Sequence, residues 1–154
     1  MNLRRAQPSE SLELREWLRE RHYLVTLPPA DRFALEFTEG RSRVGAMLLG
    51  LPPRGMDQVK WICLTRMFFV DGTRSCVESQ GLAMMRRFVR VWVPRTRGLI
   101  AYSDPSVGHE GIVYEADGWA PFGLTKLDRL GHKSREGRTG ETVSSRKRRW
   151  VRTP

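Results

Sequence analysis

The run Val59–Val70 (VKWICLTRMFFV) constrains this chain more than any other segment. Its apolar, β-branched and aromatic content reads as a strand long enough to cross the centre of a sheet. Asp71-Gly72-Thr73 turns the chain. Glu78–Val93 then places Leu82, Met85, Phe88, Val89 and Trp92 on one side of a helix, which Pro94 ends. Gly98–Tyr102 follows as a short buried strand. Strand, helix and strand in that order make a right-handed crossover between parallel neighbours. Around this unit, Ser9–Glu20 reads as a helix capped by Ser9 or Ser11, and Arg32–Thr38 with Val44–Leu49 as a hairpin. His109–Ala116 reads as one or two helical turns and Pro121–Leu127 as a final strand. The expected fold class is α/β (α+β): a mixed, partly parallel sheet with the two long helices on its faces.

Charge narrows the partner. The 154 residues carry 27 Lys and Arg against 17 Asp and Glu, a formal net charge of +10, so a polyanionic partner is the first expectation. The 40% hydrophobic fraction suffices for a core. No stretch approaches the roughly 18 apolar residues of a spanning helix. Met1–Glu20 is charged throughout and lacks the apolar segment of a signal peptide. Two cysteines, Cys63 and Cys76, exclude a disulfide scaffold and a four-cysteine zinc site, and reducing cytoplasm is the expected compartment. Residues 132–154 hold eight basic and two acidic side chains, +6 of the total. That concentration predicts a mildly basic globular domain over 1–131 and a basic, flexible tail over 132–154. In the tail, Arg146, Lys147, Arg148 and Arg149 would contact phosphates, with Trp150 stacking beside them.

The residues that bear chemistry cluster after Gly98–Tyr102, at the strand end where open α/β sheets place ligands. Tyr102-Ser103-Asp104-Pro105 is followed by Gly108-His109-Glu110-Gly111 and Tyr114. Asp104 is either a general base that orients a substrate amine or the cap of the next helical turn; Tyr114 either donates a proton or stacks. Arg66 lies inside an apolar strand, so it must meet a carboxylate, Asp104 for instance, or a ligand's phosphate. The turn Asp71–Ser75 offers Thr73, Arg74 and Ser75 at a helix N-terminus, where free N–H groups suit a pyrophosphate. Ser79 is a polar substrate contact or a plain helix residue, and Gln80-Gly81 matches a nucleotide-loop signature only in part. His22-Tyr23 is a polar, aromatic pair on a loop, and a lone His109 is a weak metal ligand. Of Trp119, Tyr114, Tyr102 and Phe122, about half are expected in the core and the rest are available to stack a base. Both cysteines read as inert.

The element order is that of the GNAT acetyltransferase-like fold. The block from Ile100 to Pro105, with Gly108 to Ala116, Gly118-Trp119 and Phe122-Gly123, resembles the signature of the phage Mom family. The resemblance spans about residues 20–130. It implies an enzyme that modifies the exocyclic N6 amine of adenine in phage DNA to a carbamoylmethyl-type group, protecting the DNA from restriction. It further implies acetyl-CoA as donor, an iron requirement, DNA as partner and the host cytoplasm as location. The catalytic positions fall on Arg66, Ser79, Asp104 and Tyr114, while His22, Tyr23 and His109 face the nucleic acid. An adenine inside a duplex is out of reach, so such an enzyme flips the base or takes single strands. Two alternatives share these residues: a non-catalytic DNA-binding accessory protein on the same fold, and a GNAT enzyme acting on another amine.

Overall fold

The computed structural model describes residues 1–24, 26–72, 75–126 and 146–154. One seven-stranded sheet runs in the order β1-β2-β3-β4-β5-β7-β6. Its strands are β1 (Asn2–Arg5), β2 (Phe33–Glu39), β3 (Ser42–Gly50), β4 (Trp61–Phe69), β5 (Gly98–Ser103), β6 (Ala120–Leu124) and β7 (Arg148–Arg152). Among the described residues three helices accompany them: α1 (Pro8–Arg21), α2 (Val77–Trp92) and the short α3 (Ile112–Ala116), with a 3-10 turn at Pro105–Val107. The mixed α+β class and the expected crossover are both present, since β4 and β5 are parallel neighbours and the other pairs are antiparallel.

Each face of the sheet has its own core. Leu35, Met47, Leu49, Ile62, Leu64 and Leu99 point toward α2, where Leu82, Met85 and Val89 meet them. Ala34, Ala46 and Leu48 point the other way, toward Leu14 and Leu18 of α1. Gly81 is where α2 comes closest to the sheet. A Cβ there would lie 2.3 Å from the Phe69 ring, so this glycine serves helix packing and not a nucleotide loop. The start of α1 differs from expectation. Pro8 occupies its first turn, and Glu10 reaches back to accept from the Gln7 N–H at 2.8 Å, so neither Ser9 nor Ser11 is the cap.

The expected tail over 132–154 requires the largest correction. Its end is β7, which inserts between β5 and β6 and pairs antiparallel with both. The sheet domain therefore does not stop at residue 131. In Arg148-Arg149-Trp150-Val151-Arg152 the side chains alternate, and Trp150 is fully buried in the α2-side core. It is therefore no stacking ring for an exposed base. Four arginines and lysines in a row concealed a strand whose single core residue is large. Residues 132–145 lie outside the described residues.

Candidate functional site

The site begins where two parallel strands part. β4 and β5 pair from Trp61↔Gly98 to Leu64↔Ala101 and no further, although β4 runs on to Phe69 and β5 to Ser103. β5 then gives its other edge to β7, through Tyr102↔Arg149 and Ser103↔Arg148. A cleft opens between the C-terminal ends of β4 and β5.

A bulge in β4 aims the key side chain into this region. Leu49 pairs with Leu64 and Leu48 with Arg66, so Thr65 is skipped. Its hydroxyl donates to the Leu48 carbonyl at 3.0 Å. With strict alternation Arg66 would share the face of Leu64. The extra residue moves it to the face of Leu48, beside α1 and the chain that follows it. There Arg66 donates to the carbonyls of Thr65 and Thr26, both at 2.6 Å. Its Nε is buried without an acceptor, and it forms no ion pair among the described residues. Desolvation pulls its pKa below the ordinary value. The salt bridge to Asp104 considered above is not formed.

Around Arg66 the loops bring together residues far apart in sequence. The His22 and Tyr23 rings stack at 4.5 Å, and Tyr23 lies 4.5 Å from the ring of His109. Tyr23 is 42% exposed, so this chain of three rings reaches solvent. His22 Nδ1 accepts from the Leu24 N–H at 3.0 Å, which assigns the proton of its neutral form to Nε2. Burial, reinforced by the positive charges of Arg66, His109 and Lys147, drives its pKa down to about 4. Burial raises the Tyr23 phenol, and the negative charge of Asp104 raises it further.

Asp104 performs the structural task anticipated for it. Its Oδ1 accepts from the Ser106 N–H at 3.1 Å and the Ser106 hydroxyl at 2.6 Å, capping the 3-10 turn. Its backbone carbonyl receives the His109 N–H at 3.2 Å, which positions the histidine for Tyr23. Tyr114 lies beneath the site. Its ring is buried between Trp119 and Trp150, at 5.4 and 5.8 Å, so it is not a surface platform. Burial raises its phenol well above the ordinary value, and Cys63 and Tyr23 add to the rise. α3 is held in place by Arg86 of α2, which donates to both Asp117 oxygens at 2.9 and 2.8 Å; Trp119 Nε1 donates to the same carboxylate.

Arg66, His22, Tyr23, Asp104 and His109 thus gather at the cleft, with Tyr114 below. Ser79 stays on α2, its hydroxyl donating to the Cys76 carbonyl at 3.0 Å. Ser75 is exposed, while Thr73 and Arg74 lie outside the described residues. Arg146 is exposed. Lys147 exchanges hydrogen bonds with Thr125, and Arg148 is held by Glu110. Trp119 and Tyr114 are core, whereas Tyr102 is half-buried and Phe122 exposed. Cys63 is buried, its thiol pushed up to about 12. The Thr26 carbonyl that holds Arg66 had no signal in the sequence.

The donor's site passes a partial test. Cys76, at φ 63°, begins α2 and its side chain makes no cap hydrogen bond, so among the described residues no side chain occupies the first-turn N–H groups, the chemistry that suits an anion. Glu78 in that turn works against it. Iron does not fit: among the described residues no group of three His, Cys, Asp or Glu side chains would hold a metal. No helix among them is long and apolar enough to cross a membrane.

The model of the Mom protein family matches residues 7–153. No curated protein matches the chain. Solved structures similar to it are GNAT acetyltransferases. One from Streptococcus pneumoniae has a TM-score of 0.66 and 12% identity, over 99% of this chain and 98% of that one. The ribosomal-protein-alanine N-acetyltransferase of Brucella melitensis gives 0.67 at 13% identity, over 100% of both chains. An aminoglycoside acetyltransferase in complex with coenzyme A and kanamycin gives 0.67 at 13%, over 99% and 94%. The fold is therefore that of the GNAT acetyltransferases.

Proposed function

Because this chain belongs to the Mom protein family, we propose that it is a transferase that modifies the exocyclic N6 amine of adenine in DNA by acyl transfer from acetyl-CoA, N6 losing a proton and coenzyme A leaving as its thiol. The observation that carries this reading is Arg66. A half-buried guanidinium with an unmatched Nε and no carboxylate partner among the described residues is explained by an oxygen that arrives with a ligand. Beside it, the exposed ring of Tyr23, backed by His22 and His109, suits the π-face of an extruded base.

N6 is conjugated with the adenine ring and is a weak nucleophile, so positioning matters most. Bond formation at N6 displaces a proton, for which Asp104 is the carboxylate of the cluster. His22 stays neutral and keeps its Nδ1 occupied by the Leu24 N–H, so its part is to present Nε2–H and an uncharged ring. The Tyr114 phenol, held protonated, is a hydrogen-bond donor from below. Acetyl-CoA, when bound, supplies an activated two-carbon unit, and the uncapped first turn of α2 with Ser79 would hold its pyrophosphate.

The test is to express the protein in a bacterial host, digest the host DNA and weigh its nucleosides by mass spectrometry. The expected result is a heavier adenine nucleoside with the wild type and none with Arg66→Gln. Unmodified adenine throughout, from a folded protein that binds acetyl-CoA in calorimetry, would overturn the reading in favour of another amine. Neither modification nor acetyl-CoA binding would leave the DNA-binding accessory protein.

A further inference from the structure

β7 carries three arginines with different surroundings. Arg148 and Arg152 share the face of Trp150, and both are held: Arg148 by the carbonyl and carboxylate of Glu110, at 3.0 and 3.5 Å, and Arg152 by the Gly118 carbonyl. Arg149 points to the opposite face. Among the described residues it makes no hydrogen bond and no ion pair, and its Nε is buried without an acceptor. Its guanidinium carbon lies 5.2 Å from the centroid of Phe122, a ring that is 57% exposed. The register of β6 shifts between Pro121 and Leu124, and Gly123 in this bulge has φ +75°. A Cβ on Gly123 would come within 3.4 Å of an Arg149 Nη, so the bulge leaves room for the fork to lie flat. Directly across the β5–β7 pair is Tyr102. It is half-buried, and burial pushes its phenol up to about 12 although the charge of Arg149 pulls the other way. It is therefore a neutral donor throughout the physiological range.

The group is thus a planar cation, set on an aromatic ring beside a hydroxyl donor, with no carboxylate among the described residues to satisfy it. That is the chemistry of an oxyanion seat, and the planar fork suits a phosphate. Its face decides which phosphate. Arg149 is on the side of the sheet away from Trp150 and α2, the face on which the bulge sets Arg66. A phosphate of the donor at the α2 N-terminus would approach from the other side. Arg66 and Arg149 stand two strands apart, at least about 10 Å. A nucleotide whose base enters beside Arg66 would carry its backbone toward β7.

We infer that Arg149, laid on Phe122 beside Tyr102, seats a phosphodiester of the DNA strand that carries the target base. The inference rests on the reading of DNA as the substrate. It is tested with the full chain by fluorescence anisotropy, using a labelled duplex oligonucleotide and its single strand over a range of KCl concentrations. For Arg149→Gln, affinity should fall at least about tenfold, and the log–log salt slope should lose about one unit. Arg149→Lys should keep the slope but bind more weakly, because a point charge replaces the fork. Phe122→Ala should likewise keep the slope and lose affinity. Acetyl-CoA binding by calorimetry and the melting temperature should not change in Arg149→Gln. Wild-type affinity and slope in that variant would overturn the inference while leaving DNA as substrate. Weakened acetyl-CoA binding with intact DNA binding would assign Arg149 to the donor and overturn it as well. A wild type without salt-dependent DNA binding would remove the DNA reading itself, and the inference with it.

Discussion

Trp150 Nε1 donates to the Ser103 hydroxyl at 2.9 Å, across the β5–β7 pair and within the core. The same indole packs on Tyr114, and Gly111, at φ +89°, passes so close that a Cβ would lie 2.5 Å from its ring. One side chain thus fixes the strand that ends just before Asp104, the loop that carries His109 and the helix that carries Tyr114.

Trp150→Ala should therefore destabilise the protein by about 3–5 kcal/mol, read as a lower urea midpoint. Deletion of residues 146–154 should prevent folding and not merely weaken DNA binding, as loss of a mobile tail would. A folded truncated protein with an unchanged midpoint would show that β7 is dispensable.

Replacing Arg66 by Met removes a half-buried charge without a carboxylate and nearly keeps the volume. Stability should stay within about 1 kcal/mol of the wild type by thermal melting, because only two carbonyl contacts are lost. Adenine modification should fall by about 10²–10³-fold. Unfolding of Arg66→Met would instead make Arg66 a structural residue.

Tyr114 needs two variants. Alanine should cost about 3–5 kcal/mol, since the ring is core, so lost activity there says little. Tyr114→Phe should fold normally and lose adenine modification, as measured by nucleoside mass spectrometry. Full modification by the Phe variant would reduce Tyr114 to packing.

The site leaves a mark on acid stability. His22 has a pKa near 4 when folded, against about 6.5 unfolded, so between those values the unfolded chain binds more protons. The contribution of neutral His22 is complete above about pH 6.5 and is lost progressively as the pH falls toward 4. Melting temperatures measured across that window should drop less for His22→Asn than for the wild type. Equal slopes would mean that His22 titrates normally in the folded state.

Sequence periodicity carried the centre of the molecule: Trp61–Phe69, α2 and Gly98–Ser103 all stand where their apolar spacing placed them. The ends were less legible. Asn2–Arg5 is a strand whose charged side chains are exposed, Arg148–Arg152 one whose arginines are half-buried, and in β7 a single buried Trp150 outweighs those three arginines. Arg66 was recognisable as a cation in an apolar strand, but its face was not, because the bulge at Thr65 is set by pairing with β3. The contact of Tyr23 with His109 joins loops 86 positions apart in number and exists only through the fold.

Ser103 and Trp150 are 47 positions apart in the chain, and β6 reaches the sheet only through β7. Folding kinetics inherit that arrangement. The β5–β7 ladder is a long-range pairing whose loop entropy must be met before its contacts count, so it belongs to the late part of folding. Until it forms, β5 keeps a bare, apolar edge and β6 has no partner. A refolding chain in that state has an open template for a strand from another molecule, and its losses to aggregation should rise with protein concentration.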